Sequence, residues 1–248
     1  MTPSLSLTTN NVHPGANQLE TMTNDEKLGL TDSPARKPRR TEDKSVRRVQ
    51  LIEATIECIA KHGIVGTTLA KVTEVAGLSL GLVNFHFASK ECLFEETLRF
   101  VANEHRAQWQ KGIKSKNLSD ADRFLAIIDS FFHPHICSRK KLSVWFAFFG
   151  EAANRSTYRT IVADIDEERH QESMQLIRGF AADGNSVGID PIFVSLTLEA
   201  LVDGLWLNML IYPENFSRDQ SKNQVRRVLA LMFPHHFDHT LSKVNGKP

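Results

Sequence analysis

The chain has 248 residues, of which 41% are hydrophobic and 24% are charged, and its formal net charge is +1 at pH 7. This is the composition of an ordinary soluble protein that is long enough for two compact units. A near-neutral charge argues against binding to polyanions over the whole surface, so any nucleic-acid surface must be local. The cysteines Cys58, Cys92 and Cys137 form no CxxC pair, which indicates reduced thiols in a cytoplasmic protein.

The first 44 residues are rich in Thr, Ser, Asn and Pro, with few large apolar residues, which predicts a disordered tail over residues 1–44. Its basic end, the RKPRR run at 36–40, suits either a DNA minor groove or a solvated charge run. No secretory signal is recognisable at the start of the chain. The longest apolar runs, Val144 to Phe149 and Leu205 to Tyr212, are shorter than a bilayer span, so we expect no membrane partner.

Two short helices separated by a tight turn are predicted between residues 67 and 93. An amphipathic helix from Ser45 to Lys61 precedes them. Thr68 suits the start of the first short helix, and Gly77 suits its end because the residue after a helix often takes a positive φ. Ser79 suits the cap of the second helix, Leu80 to Phe87.

The pattern of the second short helix is that of a DNA recognition helix. Its Val83 and Phe87 face inward at i, i+4, which leaves a polar and aromatic outer face. A small Gly81 permits close approach to a major groove, and Ser79 and Lys90 are placed for phosphate contacts. The residues predicted to contact double-stranded operator DNA are Arg47, Thr68, Ser79, Leu80, Gly81, Asn84, Phe85, His86 and Lys90. The simpler alternative is a pair of packed helices in any α-protein.

The segment TTLAKVTEVAGLSLGLVNFHFASKECL resembles the DNA-binding domain of the TetR family of transcriptional repressors. The matching positions are Gly63, Thr68, Ala76, Gly77, Ser79, Gly81, Phe87, Ser89, Lys90 and Leu93. The family usually carries Tyr-x-Tyr-Phe at the end of its recognition helix, where this chain has Asn84 to Phe87. A phosphate-binding tyrosine hydroxyl is therefore replaced by the amide of Asn84, which is suited to adenine.

The remainder of the chain predicts further helices and no hairpins, so the fold class is all-α. The predicted helices are Lys90 through Trp109 or beyond, Ser119 to Phe132, Lys140 to Ala153, Ser156 to Ala182, Asp190 to Tyr212 and Ser217 to Phe233. We expect a three-helix DNA-binding domain at 45–102, a helical regulatory, ligand-binding and dimerisation domain at 103–234, and a disordered tail at 235–248. The resemblance to the TetR family implies that the long helix that opens at Lys90 joins the two domains.

No catalytic motif is recognisable, so neither an enzyme nor a cofactor is expected. An all-helical enzyme using Glu151, His170 and Asp203 is a weaker alternative, because it lacks a nucleophile or metal set. The HPHIC run at 133–137 would supply two or three transition-metal ligands or form an ordinary helix end. We assign no metal site.

Aromatic side chains with carboxylates nearby suggest a ligand pocket in the second domain. Rings attract an organic cation through their quadrupole, although the same spacing also suits a packed core. The predicted ligand-binding residues are Trp145, Phe149, Glu151, Tyr158, Asp203 and Trp206. The segments SVWFAFFGEAANRSTYR and EALVDGLWLNMLI are similar to the regulatory domain of the BetI-type, choline-responsive branch of the TetR family. The resemblance implies a small-molecule inducer of the choline or amine type.

The last two helices carry more apolar surface than one chain can bury, which predicts a homodimer. The residues used for this prediction are Phe193, Leu196, Leu198, Leu201, Val202, Leu205 and Leu207, with Val225, Val228, Leu229 and Met232. The sequence thus predicts a homodimeric repressor that an inducer releases from its operator. An architectural DNA-binding protein without a ligand is the alternative, in which the aromatic cluster is only core.

Overall fold

The computed structural model describes residues 39–115, 117–152, 156–182 and 188–237. Residues 1–38 and 238–248, which include most of the two predicted tails, lie outside the described part. The helices are α1 Arg39–Gly66, α2 Leu69–Ala76, α3 Leu80–His86, α4 Lys90–Ile113, α5 Asp120–Phe131, α6 Arg139–Ala152, α7 Ser156–Ala182, α8 Pro191–Ile211 and α9 Arg218–Met232. The described residues contain no β-strand, which confirms the predicted all-α fold.

Three helices in the second half of the chain are capped by the residue with which the predicted segment begins. Ser119 accepts a hydrogen bond from the Asp122 N–H at 3.1 Å, and Asp190 accepts one from the Ile192 N–H at 3.0 Å. Ser217 and Gln220 form a reciprocal capping box at the start of α9. These bonds satisfy N–H groups that have no partner within the helix, so the helices begin where the short polar side chains stand.

Two segments are ordered beyond their predicted limits. Helix α1 begins at Arg39, six residues before Ser45, and Asp43 supports its first turns through an i, i+4 ion pair with Arg47 at 3.4 Å. At the other end, Phe237 is buried and packs edge-on against Phe180, with ring centroids 5.3 Å apart. The predicted tails at 1–44 and 235–248 therefore each lose a few residues to the folded unit.

Helix α4 packs against α5, α6 and α7, while α8 packs against α6, α7 and α9. The first turns of α4 bury Leu93, Phe94 and Leu98 in a core cluster that also contains the inner residues of α1 to α3. The proposed domain boundary near residue 102 thus falls inside a continuous helix. A displacement of α4 would therefore disturb its contacts with the core residues of α1 to α3 as well as its contacts with α5, α6 and α7.

Helix α8 is apolar on nearly all sides. Among the described residues, it is the helix whose length and composition would suffice for a membrane span, with 21 residues and a mean hydropathy of 1.4. This differs from the expectation based on the shorter apolar runs. Val194, Leu198 and Val202 lie in the core of the chain, whereas the opposite side of the helix is exposed. A helix with an apolar stripe facing its own core and a second apolar stripe facing outward also suits a subunit interface.

The residues from which dimerisation was predicted differ in their exposure to solvent. Phe193, Leu196 and Leu207 are exposed, as the prediction requires. The side chains that instead lie in the core of their own chain are Leu198, Val202, Leu205, Val225 and Leu229. Sequence periodicity shows that a residue lies on an apolar face, but it does not distinguish a face buried within the chain from one left outside.

Candidate recognition helix and ligand cage

The turn between α2 and α3 has the geometry predicted for a helix-turn-helix. Gly77 adopts φ 63° and ψ 31°, and its N–H donates to the Glu74 carbonyl at 3.2 Å. The Leu78 N–H donates to the Thr73 carbonyl at 3.1 Å. These two bonds form a Schellman-type end that requires a left-handed residue, which explains glycine at position 77.

Helix α3 presents one outward face. Val83 and Phe87 are buried, as predicted, and hold the helix against the domain. The exposed residues of the predicted reading face are Ser79, Leu80, Gly81, Asn84 and Phe85, while His86 is half-buried. A seven-residue helix with one anchored side and one free side is suited to entering a major groove.

Hydroxyl caps define two of the neighbouring helix starts. Thr68 accepts from the Lys71 N–H at 3.3 Å, and Ser89 accepts from the Cys92 N–H at 3.1 Å. Ser79 differs from the prediction, because its side chain makes no capping hydrogen bond. The exposed Ser79 hydroxyl is therefore available to an external acceptor such as a phosphate oxygen.

Basic side chains from α1 lie beside α3. The Lys44 ammonium lies 4.9 Å from the ring centroid of Phe85, a contact that the sequence did not reveal. Arg47 donates to the Gln50 side chain at 2.9 Å and also pairs with Asp43. Partial burial lowers the pKa of His86, and the nearby Lys44 and Arg48 lower it further. The neutral imidazole leaves Lys44 as the main positive charge beside the ring of Phe85.

A second concave site lies among α4, α5, α6, α7 and α8. We call it the aromatic cage, and it encloses about 180 Å³. Its lining residues are His105, Phe131, Trp145, Phe149, Val162, Asp166, Arg169, Glu199, Val202, Asp203 and Trp206. Trp145 lies between Trp206 and Phe149, with ring centroids 6.2 and 5.7 Å away. The Trp206 indole N–H donates to the Phe131 carbonyl at 3.1 Å, which fixes the ring.

The cage carries more negative than positive groups. Asp166, Glu199 and Asp203 contribute carboxylates, and Arg169 contributes the guanidinium. Burial raises the pKa of Asp203, which lies at the solvent-exposed rim, and the neighbouring Glu199 carboxylate raises it further. The pKa of Asp166 is also raised by burial, although Arg169 opposes the shift. An additional cation would relieve this repulsion between like charges.

His105 connects the cage to α4. It is buried, its Nε2 lies 3.1 Å from the Ser130 hydroxyl, and its ring centroid lies 4.6 Å from that of Phe131. Burial lowers the pKa of His105 to about 3, and the Arg169 charge contributes to the decrease. The imidazole is therefore neutral and adds no charge to the cage.

Four of the predicted ligand-binding residues line the cage, namely Trp145, Phe149, Asp203 and Trp206. Glu151 and Tyr158 do not, and the Tyr158 ring instead packs edge-on against Phe148 at 5.0 Å. The sequence analysis missed His105, Phe131, Asp166, Arg169 and Glu199 as lining residues. The run of charged residues at 164–170 on α7 was the available signal for Asp166 and Arg169.

The HPHIC run forms the connection between α5 and α6. The rings of His133 and His135 stack with centroids 5.3 Å apart, while Cys137 is buried with its Sγ 3.9 Å from the Met209 Sδ. Within the described ranges, no group of three or more His, Cys, Asp or Glu side chains is arranged to hold a metal ion. The Cys137 thiol packs as a core residue, and burial raises its pKa to about 12.

Two segments of the chain match models of known protein families. Residues 51–97 match the family of bacterial regulatory proteins named after TetR, and residues 120–234 match the C-terminal domain of BetI-type transcriptional repressors. The chain is 30% identical over 178 residues to the HTH-type transcriptional regulator BetI of Paraburkholderia xenovorans, covering 70% of this chain and 86% of the relative. This chain belongs to the TetR family of transcriptional regulators.

Solved structures place this TetR-family regulator among proteins of the same fold. A transcriptional regulator from Pseudomonas aeruginosa PAO1 is 26% identical, with a TM-score of 0.66 over 77% of this chain and 93% of that one. A regulator from Saccharomonospora viridis, solved in complex with choline, is 20% identical, with a TM-score of 0.65 over 75% of this chain and 96% of that one. The second comparison shows the shared fold.

Proposed function

We propose that this TetR-family regulator is a cytoplasmic repressor that binds its operator as a homodimer and is released by a small organic cation of the choline type. The observation that carries the choice of ligand is the aromatic cage, in which indole rings and three carboxylates surround a cavity of about 180 Å³. A packed core without a ligand would leave no such space between its aromatic rings. The cage therefore favours a ligand-responsive regulator over an architectural DNA-binding protein.

The expected affinity follows from the rings and the charges. A desolvated cation over an indole face gains about 2 kcal/mol. Contacts with Trp145 and Trp206, together with an ion pair to Asp203, would total roughly 4 to 8 kcal/mol after the cost of binding, which corresponds to millimolar to micromolar affinity. The choline bound to the Saccharomonospora viridis regulator is a cation of this size class. A metabolite sensor works in this concentration range.

The exposed face of α3 is proposed to read base edges. Asn84 is exposed there, and its amide suits the two hydrogen-bonding groups of adenine in the major groove. Phosphate contacts are assigned to Thr68, Ser79, Lys90 and Arg47. Leu80, Phe85 and His86 complete the surface, and Lys44 adds positive charge beside Phe85.

Helix α4 links the two sites in this proposal. Lys90 opens the helix beside the DNA-binding face, and His105 lines the cage fifteen residues later, roughly 22 Å along the axis. Operator release requires the cation to favour a conformation in which the two recognition helices of the dimer are wrongly spaced. A cation that displaces His105 would act directly on this helix, and one that displaces Trp206 would act on it through the His105 ring, 6.3 Å away.

The ligand assignment is tested with a matched pair of tryptophan variants. Choline, betaine aldehyde and polyamines are titrated into the operator complex of wild type, Trp145→Leu and Trp109→Leu. Trp109 is buried like Trp145 but does not line the cage. We expect choline to release DNA from wild type and Trp109→Leu, with a roughly 30-fold weaker response in Trp145→Leu, since about 2 kcal/mol of cation contact is lost. A Trp145→Leu variant that keeps the full response to whichever ligand acts would contradict the cage assignment.

The DNA surface is tested by comparing Asn84→Ala with Lys90→Ala. Loss of the Asn84 amide should cost on the order of 1 to 3 kcal/mol at one base pair and relax preference there. Lys90→Ala should weaken binding to all sequences equally and reduce the salt dependence by about one phosphate. Unchanged affinity and salt slope in both variants would show that α3 is not the DNA-contacting element.

A further inference from the structure

Arg169 is the one positively charged side chain among the residues that line the aromatic cage in the described part of the chain. It is buried, with 8% of its surface exposed. Its guanidinium carbon lies 5.0 Å from the ring centroid of Phe131, which is the geometry of a cation over an aromatic face. Its terminal nitrogens pair with Asp166 at 3.3 Å and with Glu199 at 3.7 Å.

Arg169 thus makes, within the chain, the same kinds of contact that a bound organic cation would make. An aromatic face below and carboxylates at the sides are the features that bind organic cations, and at Phe131 a protein guanidinium already uses them. A second position of the same kind remains, formed by Trp145, Trp206 and the carboxylate of Asp203. In contrast to Asp166 and Glu199, Asp203 makes no ion pair with Arg169.

We propose that Arg169 is a built-in cation that fills one of two cation positions in the cage, so that the open position accepts a ligand with a single positive charge. This inference rests on the proposed function and makes its ligand class more specific. A linear diamine needs both positions, and its second ammonium would meet the guanidinium at close range, where like charges repel strongly because the site is partly desolvated. Arg169 thereby determines specificity by repulsion as well as by occupying space.

The surroundings of Arg169 suit a substitution test. A second cavity, of about 20 Å³, shares four lining residues with the cage, namely Phe131, Arg169, Glu199 and Val202, so a side chain of similar length can be accommodated without overpacking. Arg169→Met removes the charge at similar length. Arg169→Lys keeps the charge and serves as the matched control.

The ligand pair is also matched, because butylamine and 1,4-diaminobutane differ by one ammonium group. Dissociation constants are measured by calorimetry for the full-length dimer, with choline as a reference. Wild type and Arg169→Lys should bind butylamine at least tenfold more tightly than the diamine. Arg169→Met should reverse this order, because its second position is open and the carboxylates of Asp166 and Glu199 no longer face a guanidinium there.

The possible outcomes separate this inference from the proposed function. If wild type binds choline but already binds the diamine as tightly as butylamine, the assignment of Arg169 is overturned while the cage remains the ligand site. The same holds if Arg169→Met weakens both amines by the same factor. Should Arg169→Met fail to fold, the ratio of the two dissociation constants in wild type still decides. Phe131→Leu gives a second measurement, because it removes the ring beneath the guanidinium and should reduce the difference in affinity between butylamine and the diamine. If no cation binds wild type, the proposed function fails and the role of Arg169 fails with it.

Discussion

Gly77 and Gly81 lie in the same motif, but the structure gives them different reasons to be glycine. Gly77 adopts φ 63°, which costs other residues about 1–2 kcal/mol. Gly81 lies inside α3, has no positive φ, and a Cβ built there would approach nothing closer than the Ser79 hydroxyl, at 3.8 Å. Neither the backbone nor the packing of the chain therefore requires a glycine at position 81, as expected if the proposed DNA surface approaches this residue closely.

The first prediction compares these two glycines. Gly81→Ala should keep or raise the free energy of unfolding, by about 0.5–1 kcal/mol, and should weaken operator binding because the added methyl group faces the DNA. Gly77→Ala should lower the free energy of unfolding by about 1–2 kcal/mol. Urea denaturation and operator titration measure the two effects. Unchanged operator affinity in a stable Gly81→Ala protein would remove Gly81 from the interface.

The second prediction concerns His105 and pH. The folded state binds a proton at this site only near its lowered pKa of about 3, whereas an unfolded chain binds it near pH 6.5. Between these values the unfolded state holds more protons, so stability falls as the pH falls through that window. Measured against His105→Gln, wild type should lose about 2 kcal/mol of unfolding free energy between pH 7 and pH 5. Parallel pH profiles for the two proteins would mean that His105 titrates normally in the folded state.

The residues that line the aromatic cage show how much of this site could be predicted from the sequence. Trp145 and Trp206 were predictable because large aromatic side chains near carboxylates are uncommon and chemically specific. Arg169 and Glu199 were not, since a charged residue on a helix is normally solvated, and only the packing of α7 against α8 places these two side chains together. Tyr158 shows the opposite failure, because its ring has the expected chemistry but faces Phe148.

Among the features of the helices, their boundaries were more predictable from the sequence than their orientations. Ser119, Asp190 and Ser217 cap their helices through local hydrogen bonds, and a local rule can be read from a local sequence. The orientation of a helix depends on distant residues. Val225 and Leu229 were therefore correctly predicted to lie on an apolar face of α9. They pack within the core of their own chain, however, and not against a second subunit as predicted.

The third prediction tests the contact between α4 and α5. Gly112 lies so close to α5 that a Cβ built on it would be 2.2 Å from the Cβ of Ala126. Gly112→Ala should destabilise the chain by about 1–3 kcal/mol through overpacking, and it should alter operator affinity because α4 must shift. Adding Ala126→Gly should recover part of the loss, which a double-mutant cycle measures.

Gly150 on α6 provides the control for this contact. A Cβ at Gly150 would approach nothing within 4 Å, so Gly150→Ala should stabilise the chain by about 0.5–1 kcal/mol. If Gly112→Ala stabilises the chain as Gly150→Ala does, or if Ala126→Gly does not restore any of the lost unfolding free energy, α4 and α5 do not touch at this point.

For the whole molecule, the exposed apolar side of α8 is the surface that a single chain leaves uncovered. Its large side chains are Ile192, Phe193, Leu196, Leu207 and Ile211, and Leu231 on α9 is 73% exposed. One recognition helix covers too little DNA for specific binding, so a two-fold dimer that buries this side satisfies both requirements. In such a dimer the apolar composition of α8 would follow from two contacts, one with its own core and one with the partner.

The last prediction is that Leu196→Asp yields a folded monomer. Leu196 is 58% exposed in the single chain, so a charge there costs little folding energy but opposes burial in a dimer. Sedimentation velocity should show the monomer, and operator affinity should fall because the two half-sites are no longer bound together. Val65→Asp, at an apolar position on α1 that is 88% exposed, should remain dimeric. Leu229→Asp should instead unfold the chain, since Leu229 is fully buried within it. A Leu196→Asp protein that sediments as an undisturbed dimer would place the interface on another surface.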